Sequence, residues 1–97
     1  MRIEFDRGRL EEVCRRRHIR RLALFGSVLR GDFTPASDVD ILVEFEPGRT
    51  PGFAYVDVEN ELTGVFGRRV DLHTAGSLSP YFRDEVLREA VEQYVAR

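Results

Sequence analysis

Residues 38–45 read DVDILVEF, and they alternate without a break. Successive side chains of a β-strand point to opposite faces. Val39, Ile41, Val43 and Phe45 therefore share one side, and Asp38, Asp40, Leu42 and Glu44 share the other. The first set belongs in a core. The second opens with two carboxylates, and Asp is depleted inside strands. A sheet built around this segment is apolar on one face and acidic on the other.

The rest of the chain must supply that core from little material. It has 97 residues, 42% of them hydrophobic, which suits one small domain spanning residues 1–97. Such a chain leaves no room for a separate acceptor-binding domain. Asp6 caps a predicted helix over 7–17, with Leu10, Val13 and Cys14 on its apolar side. "RLALF" is a buried strand ending at Gly26, and residues 27–30 are long enough for one turn. "GDFTPAS" is a loop broken by Gly31 and Pro35, and "EPGRTPG" is a second loop. Residues 53–66 make an amphipathic helix with Tyr55, Val58, Leu62, Val65 and Phe66 on one stripe, ended by Gly67. "RRVDLHT" is a third strand, with Val70 and Leu72 on one face and Arg69, Asp71 and His73 on the other. Residues 78–95 are predicted as a last helix burying Phe82, Val86, Leu87, Ala90, Val91 and Tyr94. The expected order is α-β-turn-β-α-β-α, with helices on one sheet face and the acidic face open.

Composition narrows the function. The net charge is −2, which argues against a general nucleic-acid binder. All fifteen basic residues are arginine, so neither a Schiff-base lysine nor a P-loop lysine is present. The run Arg15–Arg17 with Arg20 and Arg21 reads as a solvated helix end rather than a phosphate patch. A lone cysteine, Cys14, excludes an internal disulfide and a Cys-rich zinc site, and is expected to be half-buried on its helix. No signal peptide and no apolar run of membrane length is visible, which predicts a cytoplasmic protein without a membrane partner.

The carboxylates carry the chemistry. Asp38 and Asp40 emerge on one face, about 6 to 7 Å apart at the backbone for a rise of roughly 3.3 Å per residue. Two carboxylates so close repel unless a proton or a cation joins them. Hard divalent ions bind one or two carboxylates together with substrate phosphates. If the strand of Asp71 is a neighbour, three carboxylates converge, the composition of a two-metal phosphoryl-transfer site. A glycine at a strand end lets a polyphosphate approach the backbone, and a following Ser and its N–H groups can bond phosphate oxygens. His73 shares the open face with Asp71 and reads as a polar strand-face residue.

Gly26-Ser27, ten residues, Asp38-x-Asp40 leading into an apolar strand, then Asp71 on a later strand form a specific pattern. With "LFGSVLRGDFTPASDVDILVEF" and "GRRVDLHT", the chain resembles the DNA polymerase β-like nucleotidyltransferase superfamily. It looks most like the minimal nucleotidyltransferase (MNT) domains paired with HEPN proteins in toxin–antitoxin systems. The likeness covers nearly the whole chain. It implies an α+β fold of the polymerase β-like kind: a small mixed sheet with helices on one face and an open acidic active-site face. It also implies that Asp38 and Asp40 bind two Mg²⁺ ions, and that Asp71 completes the catalytic metal site and favours deprotonation of the acceptor hydroxyl. Gly26 and Ser27 would hold the β- and γ-phosphates of a nucleoside triphosphate, ATP. Arg30 would either stabilise phosphate charge or brace the loop, and Gly31 would serve loop geometry. Family members often carry Ala where Leu29 stands, a difference of packing.

The activity implied is that of an antitoxin that transfers AMP from ATP to a tyrosine of a cognate HEPN RNase toxin. Three other readings are weighed against it. A non-catalytic module could neutralise the toxin by binding alone. A small-molecule nucleotidyltransferase usually needs an extra acceptor-binding domain. Transfer to a nucleic acid lacks a basic surface. A homo- or hetero-oligomer is compatible with the sequence.

Overall fold

The computed structural model describes residues 3–30 and 33–96. Gly31 therefore lies outside the described residues. The chain builds a four-stranded mixed sheet from β1 (Ile19–Phe25), β2 (Val39–Phe45), β3 (Val70–His73) and β4 (Val91–Val95), in the order β3-β2-β1-β4. β1 runs antiparallel to both β2 and β4, and β2 runs parallel to β3. Three helices accompany it: α1 (Arg7–Arg16), α2 (Tyr55–Phe66) and α3 (Arg83–Glu89).

α1 starts where predicted. The Asp6 side chain accepts a hydrogen bond from the Arg9 N–H at 3.1 Å, satisfying one orphan donor of the first turn. His18 then turns the chain into β1 with a left-handed φ of 59°. Leu10, Val13 and Cys14 of α1 and Val58, Leu62, Val65 and Phe66 of α2 are buried against Leu22, Leu24, Val39, Ile41 and Val43 of the sheet. Each fully buried Leu or Ile in this set stabilises the fold by about 1.5–3 kcal/mol. Cys14, expected to be half-buried, is wholly inside, and burial pushes its thiol up to about 12. The arginine run is structural at its end. Arg16 and Arg17 both reach Glu61 of α2, Arg16 at 2.6 Å, and so tie the two helices together.

α2 ends at Gly67, whose left-handed φ of 66° lets its N–H bond the Thr63 carbonyl. On the way, α2 covers the outer edge of β3 with side chains spaced four apart. Thr63 Oγ1 accepts from the Val70 N–H at 3.2 Å, and Glu59 Oε2 accepts from the Leu72 N–H at 3.0 Å. The Tyr55 hydroxyl donates to the Leu72 carbonyl at 2.8 Å. An edge strand that would expose unpaired groups is thus closed by its own crossover helix.

The C-terminal segment departs from the sequence expectation. No single helix spans 78–95. Residues 75–77 form a 3₁₀ turn, α3 occupies only 83–89, and Ala90 turns extended (φ −59°, ψ 135°) into β4. The physical cause is the second edge of β1. "VEQYV" is rich in strand formers, and pairing with β1 satisfies a row of backbone groups that a helix would leave bare. Of the residues expected to be buried, Val86 is buried and Tyr94 partly so, while Phe82, Leu87 and Val91 are exposed. α1 and α2 line one face of the sheet, and α3 borders the acidic end near the Gly26 turn.

Candidate active site

The site forms where β1 ends and β2 and β3 begin. In the parallel β2–β3 ladder Asp40 stands directly opposite Asp71, and in the antiparallel β1–β2 ladder Asp40 stands opposite Phe25. The condition for converging carboxylates, neighbouring strands, is therefore met for these two. Asp40, Asp71 and His73 each present one ligand atom, all within 4.8 Å of one another. His73 Nε2 lies 3.1 Å from Asp71 Oδ2. The Phe25 ring meets the imidazole edge-on, with centroids 5.4 Å apart, and holds it over the carboxylates.

Asp38 sits apart from that group. It precedes β2, its side chain is about half-exposed, and it points to Arg69, 3.9 Å away. Its charge still reaches Asp40. The Asp40 carboxyl is raised above its ordinary value, first by burial and next by the Asp71 charge, with Asp38 adding to the rise. His73 and Arg30 act in the opposite direction. A partly buried carboxylate, Asp40, facing the exposed carboxylate of Asp71 is a pair whose repulsion a bound cation relieves.

Gly26 follows β1 with a left-handed φ of 76° and opens a 3₁₀ turn, Gly26–Leu29. Its need for glycine is twofold. The backbone conformation disfavours a side chain. A Cβ at this position would also stand 3.1 Å from Asp40 Cγ and closer still to Oδ2. The glycine turn and the carboxylate are thus one packed unit. The turn closes with the Arg30 N–H donating to the Ser27 carbonyl at 3.0 Å. Ser27, Arg30 and Asp40 line a cavity of about 320 Å³ with Phe82, Glu85 and Glu89 of the α3 region. The structure thus gathers Gly26, Ser27, Arg30, Asp40 and Asp71 at one end of the sheet, leaves Asp38 at its rim and brings His73 in.

Several roles in this region were not read from the sequence, which placed Tyr55 on the apolar stripe of its helix and did not single out Glu59, Thr63 or Arg68. Tyr55, Glu59 and Thr63 hold the strand of Asp71 from outside, and their four-residue spacing was the available signal. Arg68 packs over the Phe33 ring at 4.7 Å and donates to the Thr34 carbonyl at 2.9 Å, bracing the loop that leads to Asp38.

Fold and site together define a nucleotidyltransferase domain. The family model for the nucleotidyltransferase domain matches residues 7–92, and the chain belongs to that family, whose members are nucleotidyltransferase enzymes. The protein adenylyltransferase MntA of Thermococcus cleftensis is 39% identical over 82 residues, which cover 84% of this chain and 81% of that protein. A solved minimal nucleotidyltransferase structure is 40% identical, covers 88% of this chain and 86% of its own, and superposes with a TM-score of 0.72. A toxin–antitoxin crystal structure with AMP-PNP shares the fold at a TM-score of 0.73 and 20% identity, over 95% of this chain and 75% of that one. No described helix is long and apolar enough to cross a membrane.

Proposed function

We propose that residues 1–97 form one minimal domain acting as an Mg²⁺-dependent protein adenylyltransferase. It would transfer AMP from ATP to a tyrosine of a HEPN-domain RNase toxin and thereby act as its antitoxin. The observation that carries the reading is the in-register pairing of Asp40 with Asp71 against the Gly26 turn. The likeness to a relative named as a protein adenylyltransferase supports the choice of a protein acceptor.

In this reaction an acceptor hydroxyl attacks the α-phosphorus of ATP. The bond between the acceptor oxygen and the α-phosphorus forms, the bond from that phosphorus to the bridging α–β oxygen breaks, and pyrophosphate leaves. Asp71 takes the hydroxyl proton. Gly26 allows the triphosphate close to the backbone, and the Ser27 hydroxyl bonds a phosphate oxygen. Arg30 faces the cavity beside Asp40 and balances phosphate charge there. The carboxylate oxygens of Asp38, Asp40 and Asp71 are the donors two Mg²⁺ ions prefer. Those ions supply charge stabilisation to the phosphoryl oxygens. No nucleophilic side chain is required, because positioning and electrostatics carry phosphoryl transfer. The net negative charge fits a protein acceptor better than a nucleic acid.

The test is co-expression with a HEPN-domain RNase encoded beside the chain, followed by intact-mass spectrometry of that RNase. An AMP-sized adduct on a tyrosine, absent with Asp40→Asn, is expected. An RNase that is bound and silenced without an adduct would replace transfer by simple occlusion. An adduct on a small molecule instead would move the acceptor class.

A further inference from the structure

Deepening the nucleotidyltransferase reading, on which it rests, we propose that His73 joins Asp40 and Asp71 as a nitrogen ligand of one of the two divalent ions, so that Mn²⁺ binds there more tightly than the Mg²⁺ that also serves the reaction. The donor set that the fold actually clusters is not three carboxylates. It is Asp40, Asp71 and the His73 imidazole, with Asp38 turned toward Arg69.

The spacing suits one ion. Bonds of roughly 2.1 Å in octahedral geometry put adjacent ligand atoms about 3 Å apart and opposite ones about 4.2 Å apart. His73 Nε2 and Asp71 Oδ2 are 3.1 Å apart, the adjacent spacing. The full set lies within 4.8 Å, so a small inward movement closes it. The β2–β3 register explains how a residue two positions beyond Asp71 reaches the same point. His73 stands opposite Leu42, an apolar neighbour that offers its ring no hydrogen bond, and Phe25 blocks it from the β1 side. The imidazole is left leaning back along its own strand onto Asp71.

The chemistry of the set then discriminates between ions. Mg²⁺ wants oxygen ligands at near-ideal octahedral positions and gives up water reluctantly. Carboxylates serve Mg²⁺ and Mn²⁺ alike, while an imidazole favours first-row transition ions, Mn²⁺ less than Fe²⁺, Ni²⁺ or Zn²⁺ but more than Mg²⁺. Exchanging one oxygen donor for a nitrogen therefore favours Mn²⁺ at little gain for Mg²⁺.

The experiment uses the whole protein, stripped with chelator, with and without a non-hydrolysable ATP analogue. Mn²⁺ binding is read from the free-ion paramagnetic resonance signal, and Mg²⁺ by competition. Wild type should bind Mn²⁺ more tightly than Mg²⁺, and spin-echo modulation of bound Mn²⁺ should show a directly coordinated nitrogen. His73→Ala should weaken Mn²⁺ binding by at least about 10-fold, since loss of an outer-shell partner alone costs about 10- to 100-fold, remove the nitrogen signal and leave Mg²⁺ nearly unchanged. His73→Asp should abolish the preference for Mn²⁺ while keeping a bound ion. If the variants fail to fold, the wild-type spectrum decides alone. Bound Mn²⁺ without a nitrogen signal, released by Asp40→Asn, would overturn the role of His73 while the carboxylate site stands. Mn²⁺ and Mg²⁺ both failing to bind, with or without nucleotide, would overturn both readings.

Discussion

Gly26→Ala tests the joint between the glycine turn and the carboxylate. Two separate costs arise. A side chain at φ 76° is strained by about 1–2 kcal/mol. The new Cβ also meets the Asp40 carboxylate, with Cγ only 3.1 Å away, and overpacking of this kind costs about 1–3 kcal/mol. Together they lower stability by about 2–5 kcal/mol, which for a domain of this size is a fall in Tm of at least about 8 °C. In an Asp40→Ala background the second cost disappears. The remaining neighbour is the residue-40 Cβ at 3.3 Å, tight but tolerable. Urea unfolding followed by circular dichroism on the four chains of the cycle should therefore give a coupling of about 1–3 kcal/mol, with Asp40→Ala rescuing Gly26→Ala. A Gly26→Ala chain that folds only in the double variant would say the same. Equal costs in the two backgrounds, within about 0.5 kcal/mol, would refute the contact and leave backbone conformation as the sole reason for glycine.

Other perturbations follow from the same structure. The raised carboxyl of Asp40 means that the folded chain holds that proton more tightly than the unfolded one, so its ionisation costs stability above the folded value and the cost vanishes as pH falls below the unfolded one. Metal-free Asp40→Asn should accordingly match or exceed wild-type Tm at about pH 7, with the gap closing toward about pH 4, while transfer activity is lost; a clear loss of Tm at neutral pH would contradict this. Tyr55→Phe removes the 2.8 Å bond to the Leu72 carbonyl and should cost about 0.5–1.5 kcal/mol in urea unfolding; an unchanged midpoint would show that bond to be idle. Cys14 is buried with its thiol pushed up to about 12, so iodoacetamide at about pH 8 should spare the native chain and label the urea-unfolded one. Rapid labelling of the native chain would show that α1 opens readily.

What could be read from the sequence was what local pattern and composition determine. The alternation of 38–45 placed β2 and its two faces, and the Gly67 stop and the apolar stripe placed α2 within two residues of its start. Gly26, Ser27, Asp40 and Asp71 are singled out by their combined spacing and by the family resemblance it carries, since a Gly-Ser pair alone is common in loops, and the fold gathers them at one end of the sheet. β4 was not legible. VEQYV shows no clean apolar–polar alternation, and Val86, Ala90, Val91 and Tyr94 fit a helical stripe. The decision between strand and helix rests on β1 having an unpaired edge, which no window of fifteen residues contains. The position of Asp38 was hidden for a similar reason. Spacing along the strand put it on one face with Asp40, but it precedes β2 and pairs with Arg69, thirty-one positions away. His73 reads as an ordinary polar strand-face residue in the sequence, and its contacts with Phe25 and Asp71 become visible only in the fold.

The arrangement also shows where such a small domain can tolerate a charged site. Asp40 and Asp71 repel across adjacent strands, and the force falls on β3, a four-residue edge strand. A strand so short would slip or fray if only β2 held it. It is held on its other side by Tyr55, Glu59 and Thr63, side chains of the crossover helix that the β2–β3 connection requires anyway. The same helix buries Val58, Leu62 and Val65 in the core, so loosening β3 from outside means disturbing the core as well. The apolar stripe of α2 and its polar flank thus serve one end, which is to keep two carboxylates in register that would otherwise move apart. On this view the strength of the core and the geometry of the site are not independent properties of the chain: α2 carries both.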